Sequence, residues 1–174
     1  MSTSPFAARI TGTGSHFPSR IMTNDELSLQ VETSDAWIQE RTGIKERHIS
    51  DTRNENEHNS SLALVASQRA LEMAGKRAED IDIIIYGTFT GDTILPSTGC
   101  WLQKKLGAKK AWAFDVNAAC SGFVYSLGIA DQFLRSGQHQ TALVVGAEVI
   151  TPYVNWQDRG SCILFGDGPD RARR

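Results

Sequence analysis

The sequence predicts an α/β fold built around a mixed, largely parallel β-sheet. Apolar runs of strand length alternate with segments of helical length along the chain, which is the pattern of strands joined by crossover helices. The runs "DIDIIIYGTF" at 80–89 and "TALVVGAE" at 141–148 are continuously rather than alternately apolar. Continuous runs are typical of central strands that are covered on both faces.

Five segments of the chain are predicted to be strands. The first in chain order is "ARITGTGSHF" near residues 8–17, and the last is "SCILFGD" at 161–167. Between them lie the runs at 80–89, 111–117 and 141–148. We therefore expect a five-stranded sheet.

Capping signals place the helices between the predicted strands. Thr23 is followed three residues later by Glu26, which is the spacing of a capping box at a helix start. Thr33 or Ser34 is the expected N-cap of a second helix, and Gly43 is its expected end, because glycine readily takes the left-handed conformation. Three longer helices are expected, over residues 59–75, 96–107 and 120–137.

Length and charge exclude several classes of function. The chain has 174 residues, which suits one domain or half of a larger two-part fold. Its 18 basic and 20 acidic side chains give a formal charge of −2, so the composition demands no nucleic acid and no anionic membrane as a partner. No apolar stretch approaches the roughly 18 residues that span a bilayer, and the first residues lack the pattern of a signal peptide.

The cysteine pattern indicates a reducing compartment and no metal site. Three cysteines are an odd and sparse set, which argues against a disulfide framework and for the cytoplasm. The sequence has no CxxC and no HxxxH spacing, so we expect no zinc site. Cys100 and Cys162 are interpreted as packing residues, one in a helical apolar stripe and one in a predicted strand. The histidines are interpreted as structural or surface residues, and they are His16, His48, His58 and His139.

Cys120 lies in the stretch "NAACSGFVY", between a predicted strand and a predicted helix. The free N–H groups and the dipole at a helix start favour a negative charge there, and thiolate is the attacking form of cysteine. Ala118 and Ala119 leave room above the sulfur, and Gly122 permits another backbone to approach closely. On these residues alone two interpretations stay open. Cys120 is a nucleophile whose own N–H can serve an oxyanion, or it is a small buried hydrophobe in a tight bend.

Four separated stretches of the chain resemble one enzyme family. The segment "FDVNAACSGF" is similar to the nucleophile segment of the 3-oxoacyl-[acyl-carrier-protein] synthase III enzymes, the initiating condensing enzymes of bacterial fatty-acid synthesis. The other stretches are "GTGSHFPSRIMTNDEL", "TSDAWIQERTGIKERHI" and "DRGSCILFGDG". The resemblance covers residues 8 to 168 and implies a thiolase-like fold with layered α-β-α halves, of which this chain is the N-terminal one.

The resemblance also predicts how the chain is divided. Residues 1–168 are expected to form the thiolase-like half that carries the nucleophile. Residues 169–174, "PDRARR", depart from the family pattern in the way that a truncation or a reading-frame change would produce. A half-fold without its counterpart exposes a large apolar face, so we expect a homodimer or a companion C-terminal half.

The activity that the resemblance implies is a ping-pong acyl transfer. Cys120 would accept an acyl group from acyl-coenzyme A, and the acyl-enzyme would then condense with malonyl-acyl carrier protein and release carbon dioxide. The family's catalytic histidine and asparagine lie in the second half, so this chain alone is not expected to complete condensation. No cofactor is expected, because acyl-coenzyme A is a substrate.

Further site residues are matched through the same resemblance. The family's coenzyme A contacts match Trp37, Arg41, Arg159 and Thr33, and Leu95 matches the side chain that crosses the dimer interface into the partner's acyl pocket. Trp37 and Arg41 are four residues apart and so share a helix face. An indole can stack on adenine, and a guanidinium can pair with phosphate. From the residues alone, a simpler structural role remains open for each of them. Trp37 and Arg41 could be a surface pair, and Arg159 a solvated turn residue. Thr33 could be an N-cap, and Leu95 a loop residue that packs locally.

Two other functions also remain open. The first is a thiolase-fold synthase with another acceptor, of the kind that makes 3-hydroxy-3-methylglutaryl-coenzyme A, quinolones or long-chain ketones. The second is a non-catalytic half that pairs with a separate chain as an interaction protein. The Trp37 and Arg41 motif favours the fatty-acid initiator over a synthase with another acceptor. The charged tail supports the non-catalytic half.

Overall fold

The computed structural model describes residues 8–168, which form two compact units. Unit 1 comprises residues 8–16 and 59–148, and unit 2 comprises residues 17–58 and 149–168. Each unit has a hydrophobic core of its own. The tail that the sequence sets apart at 169–174 lies outside the described residues.

Five strands and six α-helices make up the regular structure of the described chain. The strands are β1 (Arg20–Thr23), β2 (Glu46–Ile49), β3 (Ile83–Gly87), β4 (Trp112–Val116) and β5 (Ala142–Gly146). The helices are α1 (Asn24–Ser28), α2 (Asp35–Thr42), α3 (Asn59–Ala74), α4 (Thr98–Leu106), α5 (Gly122–Arg135) and α6 (Arg159–Cys162).

Unit 1 is an α-β-α sandwich around a parallel sheet. The strand order is β4-β3-β5, and both pairings are parallel. Alternate side chains of β3 enter different layers: Ile84 and Tyr86 join the core cluster with α3 and α4, whereas Ile83 and Ile85 join Ala130 of α5. Every residue of β3 is buried, as its continuous apolar run predicts. The α/β class and the layered arrangement are thereby confirmed.

Unit 2 combines a two-stranded sheet with three short helices. Strands β1 and β2 pair antiparallel, from Arg20 opposite Ile49 to Thr23 opposite Glu46. The core of this unit draws on β1, α1, α2, β2 and the end of α6, and its buried members are Met22, Leu27, Ile38, Ile49, Cys162 and Ile163. Both strands are four residues long, and neither was predicted from the sequence.

The sheet differs from the predicted five-stranded mixed sheet. It has three strands, all parallel, because two of the five predicted strands do not form. Residues 8–17 are irregular, and Gly12 and Gly14 lie close to α3 instead of pairing with a strand. A Cβ on either glycine would fall 2.1 Å from a backbone carbonyl oxygen of α3. The absence of side chains at Gly12 and Gly14 therefore allows α3 to pack closely.

The second strand that does not form is the one predicted at 161–167. Its first residues belong to α6 instead, and Asp158 is the N-cap of that helix. The Asp158 carboxylate accepts hydrogen bonds from the Gly160 N–H at 2.9 Å and from the Ser161 hydroxyl at 2.6 Å. Local capping outweighs the strand propensity of the apolar run that follows.

The predicted helices are present, but the capping box predicted at Thr23 is only half formed, because the Glu26 carboxylate pairs with Arg20. The Thr23 hydroxyl accepts a hydrogen bond from the Glu26 N–H at 3.2 Å and starts α1. Ser34, and not Thr33, is the N-cap of α2, and its hydroxyl accepts from the Trp37 N–H. Helix α2 ends at Gly43, whose φ of 72° is left-handed. The three longer helices lie within the predicted ranges.

The described chain lacks three kinds of feature. No helix within residues 8–168 is long and apolar enough to cross a membrane. Those residues also contain no group of three or more His, Cys, Asp or Glu placed to hold a metal ion. The three cysteines, all within this range, are free.

Candidate functional site

Cys120 lies in the turn that joins the end of β4 to the start of α5. Residues Ala119–Ser121 form one turn of 3₁₀ helix, and α5 begins at Gly122. The Ser121 N–H donates to the Ala118 carbonyl oxygen at 3.0 Å. The Cys120 side chain is exposed, whereas the interpretation as a small buried hydrophobe requires burial. The strand–turn–helix setting is the one that the sequence predicts, and the catalytic role of Cys120 stays a prediction.

Three glycines bring the first turn of α5 against the carboxyl end of the sheet. Gly87 of β3 and Gly146 of β5 are register partners. A Cβ on Gly87 would lie 2.7 Å from the backbone carbon of Gly122, and a Cβ on Gly146 would lie 2.9 Å from the Cβ of Phe123. Gly122 thus permits the close backbone approach expected of it. Sequence reasoning missed Gly87 and Gly146, although both stand at the ends of apolar runs.

The other two cysteines are less available than Cys120. Cys162 has no exposed surface, and burial raises the pKa of its thiol. Cys100 is partly buried in α4, and its Sγ lies 3.3 Å from the Ser97 hydroxyl and 3.6 Å from the Ala113 carbonyl oxygen. Both environments agree with the packing roles predicted for these residues, although Cys162 packs from a helix and not from a strand.

Trp37, Arg41 and Arg159 converge in unit 2. The Arg41 guanidinium carbon lies 4.2 Å from the centroid of the Trp37 ring, and that of Arg159 lies 4.8 Å from it. Both distances are typical of cation–π contacts. The contact of Arg41 with Trp37 follows from their spacing of four residues on α2. Arg159 belongs to α6, and its side chain donates to the Glu32 carbonyl oxygen at 3.2 Å. The three residues therefore form one cationic and aromatic cluster.

Thr33 and Leu95 occupy different settings. The Thr33 hydroxyl is buried and has no hydrogen-bond partner among the described residues, so it does not cap α2. Leu95 lies in the loop between β3 and α4, and its side chain is 86% exposed. Cys120 and Leu95 belong to unit 1, whereas the Trp37 cluster and Thr33 belong to unit 2.

Glu148 is a residue of unit 1 that sequence reasoning missed. Its carboxylate accepts hydrogen bonds from the backbone N–H groups of Phe89 at 3.0 Å and Thr90 at 3.1 Å. It also accepts from the hydroxyls of Thr88 at 2.9 Å and of Thr90. These bonds hold the start of the loop that leads to Leu95. An acid directly after a buried strand, in "ALVVGAE", was the available signal.

Asn59, at the start of α3, holds the same loop from the other side. Its side-chain N–H₂ group donates to the Thr88 hydroxyl at 3.0 Å, the Thr90 carbonyl at 2.9 Å and the Ala147 carbonyl at 3.1 Å. The Tyr86 hydroxyl donates to its side-chain oxygen at 2.7 Å. Burial raises the pKa of Tyr86 well above its ordinary value, so the hydroxyl keeps the proton that it donates.

Comparison with known proteins shows which family this chain is similar to. A family model described as 3-oxoacyl-[acyl-carrier-protein (ACP)] synthase III matches residues 114–169. A β-ketoacyl-[acyl-carrier-protein] synthase III of Xanthomonas campestris pv. campestris is 55% identical over 161 residues, which are 92% of this chain and 49% of that protein. This chain is similar to the 3-oxoacyl-[acyl-carrier-protein] synthase III proteins over 92% of its own length. It spans about half the length of the curated relatives that it matches.

Solved structures of synthase III proteins share the fold of this chain. The 3-oxoacyl-[acyl-carrier-protein] synthase III of Aquifex aeolicus VF5 superimposes with a TM-score of 0.88 at 46% identity, over 92% of this chain and 51% of that one. The priming β-ketosynthase of the R1128 polyketide pathway superimposes with a TM-score of 0.87 at 32% identity, over 97% and 50% of the two chains. The predicted thiolase-like fold is confirmed by these neighbours.

Proposed function

We propose that this chain is the acyl-accepting half of an initiating condensing enzyme. Cys120 takes an acyl group from acyl-coenzyme A as a thioester, and the acyl group then passes to malonyl-acyl carrier protein with loss of carbon dioxide. The observation that carries the proposal is the exposed Cys120 at the start of α5, in a chain 55% identical to a synthase III protein.

The acylation step uses the setting of Cys120. The thiolate attacks the thioester carbonyl carbon, the new Sγ–carbon bond forms, and the bond to the coenzyme A sulfur breaks. The proton lost by Cys120 is returned to the departing thiolate through solvent. First-turn N–H groups of α5 favour the negative charge before attack, and the Cys120 N–H serves the oxyanion during it. An exposed sulfur supports this role, because a bulky thioester can reach it.

The Trp37 cluster is proposed to bind the nucleotide end of coenzyme A. An indole offers a stacking face to adenine, and guanidinium groups pair with phosphates. The Arg159 guanidinium itself lies 4.8 Å from the ring centroid. A purine that stacks between Trp37 and Arg159 must therefore displace this guanidinium. The buried Thr33 hydroxyl, unpartnered among residues 8–168, is included as a nearby contact.

Leu95 and α5 support the proposed assembly. Leu95 stands exposed on an anchored loop, which suits a side chain that enters the acyl pocket of a second subunit and limits acyl length. Phe123, Val124 and Tyr125 of α5 are exposed by 46%, 65% and 58%. Such an apolar face is covered in a stable protein, and a homodimer or a companion half would cover it.

The proposed location is the cytoplasm, and the proposed reaction uses no cofactor. Three free cysteines suit a reducing cytoplasm. Acyl-coenzyme A enters as a substrate, and the acyl group travels on Cys120 itself. No step of the transfer as proposed calls for a bound metal or a redox group.

Mass spectrometry of the chain after incubation with acetyl-coenzyme A tests the proposal. We expect one added acetyl group, mapped to the Cys120 peptide, and none on Cys162, which is buried. Cys120→Ser should remain unmodified, and the matched control Cys100→Ser should be labelled like the wild type. An unlabelled Cys120 in wild-type protein, or equal labelling of Cys120→Ser, contradicts the proposal.

A second candidate is a synthase of the same fold that uses another acceptor. The similarity to the R1128 priming β-ketosynthase, at 32% identity, favours keeping it. It predicts the same acylated Cys120 but a different second substrate. A panel of acceptors offered to the acylated protein, together with its complementing half, separates the two candidates. Consumption of malonyl-acyl carrier protein favours the first.

A further inference from the structure

Ala119, the residue before Cys120, has a backbone conformation that L-residues rarely adopt. Its φ is +45°, and every other residue of positive φ within 8–168 is a glycine. In this region the Cβ lies too close to the following carbonyl oxygen, which is why glycine is the usual occupant. The strain falls next to the thiol that the proposed function makes reactive.

The strain follows from how tightly the turn is held at both ends. At one end, β4 is hydrogen-bonded up to its last residue, since the Thr88 N–H, directly after β3, donates to the Val116 carbonyl oxygen at 3.2 Å. At the other end α5 begins at Gly122, in backbone contact with Gly87. The chain must reverse within residues 117–121, and a left-handed residue makes this possible.

Neither folding preference nor core packing explains an alanine at this position. Glycine fits the conformation better, and Ala119 is exposed, so its methyl group adds nothing to the core of the described chain. A Cβ in a turn does restrict the backbone of that turn. The next residue in the chain is Cys120, so a restricted backbone at residue 119 also restricts the position of its thiol.

We propose that Ala119 is a positioning residue for Cys120, whose Cβ keeps the turn in one conformation and the thiol in one orientation at the start of α5. This inference rests on the proposed function of Cys120. Glycine at position 119 relieves the strain but adds backbone freedom to the turn. The sulfur then spends less time in its reactive orientation, and small misplacements of a reacting atom lower rates strongly.

The test compares Ala119→Gly, Ala119→Ser and Ala118→Gly with the wild-type chain. Ala119→Ser keeps a Cβ, and Ala118→Gly adds the same freedom at a residue whose φ is −144°. Two electrophiles are used, acetyl-coenzyme A and iodoacetamide. In the second reaction the Sγ–carbon bond forms, iodide leaves, and the thiol proton goes to solvent. Peptide mapping reports the rate at Cys120, and thermal unfolding reports stability.

We expect Ala119→Gly to unfold at the wild-type temperature or above, yet to react roughly five-fold more slowly at Cys120 with both electrophiles. Ala119→Ser should react within about two-fold of the wild type, because its Cβ is retained. Ala118→Gly should unfold at a lower temperature and lose less of its rate. A purely structural role for Ala119 would not raise stability while slowing the reaction.

The inference is overturned by a wild-type rate in Ala119→Gly, by an equal loss of rate in Ala119→Ser, or by an equal loss of rate in Ala118→Gly. A lower unfolding temperature for Ala119→Gly also contradicts it, because glycine should relieve strain. These results differ from the result expected if the proposed function of Cys120 is wrong. In that case wild-type Cys120 reacts with iodoacetamide but not with acetyl-coenzyme A, and the iodoacetamide rates still decide the role of Ala119.

Discussion

Glu57 shows how a single buried carboxylate can organise a polar loop. Its side chain is 9% exposed and accepts hydrogen bonds from the Asp51 N–H at 2.8 Å, the Ser19 hydroxyl at 2.8 Å and the Ser19 N–H at 3.3 Å. The Asp51 N–H, with help from Ser19, holds the pKa of Glu57 below its ordinary value of 4.5, against the opposing effect of burial. The ionised form is therefore the one that stabilises unit 2.

The pH dependence of stability follows from the direction of that shift. A carboxylate whose pKa is lowered by folding contributes stability above its unfolded pKa and loses it as the pH falls through its folded pKa. The difference in the free energy of unfolding between wild type and Glu57→Gln should therefore shrink between about pH 6 and about pH 3. Urea denaturation across this range measures it. Glu72→Gln, at an exposed position, is the matched control, and a difference that stays constant for Glu57→Gln contradicts the assignment.

Local sequence patterns predicted the structural roles of some residues and missed those of others, for a physical reason. The N-caps Thr23 and Ser34 were predictable because a hydroxyl and an N–H three residues on interact locally. Glu148 was missed because its partners, Phe89 and Thr90, lie 59 and 58 residues away in sequence. The acid after β5 is visible in the sequence, but no local pattern indicates which distant groups it bonds. The positive φ of Ala119 was missed for a related reason, since both ends of its turn are fixed by distant elements.

At the scale of elements, the contact between β3 and α5 decides where Cys120 stands. Gly87 and Gly122 allow the two backbones to touch, so the first turn of α5 has little freedom to shift. The apolar runs at 83–87 and 142–146 were recognisable as strands because they are continuously apolar, although only the first is buried throughout. Strands β1 and β2 were not, because four residues carry too little pattern to distinguish a strand from a loop.

Gly87→Ala tests the importance of this contact. The new Cβ would lie 2.7 Å from the Gly122 backbone carbon, so α5 must shift. We expect a loss of about 1–3 kcal/mol in the free energy of unfolding, together with slower modification of Cys120 by iodoacetamide. Chemical denaturation and peptide mapping measure the two effects.

Gly128→Ala is the matched control for that substitution. Gly128 lies in the middle of α5, and a Cβ there would meet no atom within 4 Å. Alanine is the better helix former, so this variant should gain up to about 1 kcal/mol and keep the wild-type rate at Cys120. If Gly87→Ala behaved like Gly128→Ala, the close contact would have no structural importance.

At the scale of the whole molecule, the residues of the proposed function come from stretches that are far apart in sequence. Cys120 belongs to unit 1, and Trp37 with its two arginines belongs to unit 2. The family resemblance pointed to both sets, because four motifs in order are specific even where strand prediction fails. Composition and periodicity alone gave the α/β class, but they could not select among the many activities that such folds support.

The most direct test of the account compares two acyl donors that differ only in their nucleotide. The measurement is the rate of acetylation of Cys120 by acetyl-coenzyme A and by acetyl-pantetheine, in the wild-type chain and in Trp37→Ala. We expect the wild type to react faster with acetyl-coenzyme A, and Trp37→Ala to lose this advantage while its rate with acetyl-pantetheine is unchanged. No acetyl group on Cys120 from either donor, or equal rates with both donors in the wild type, would contradict it.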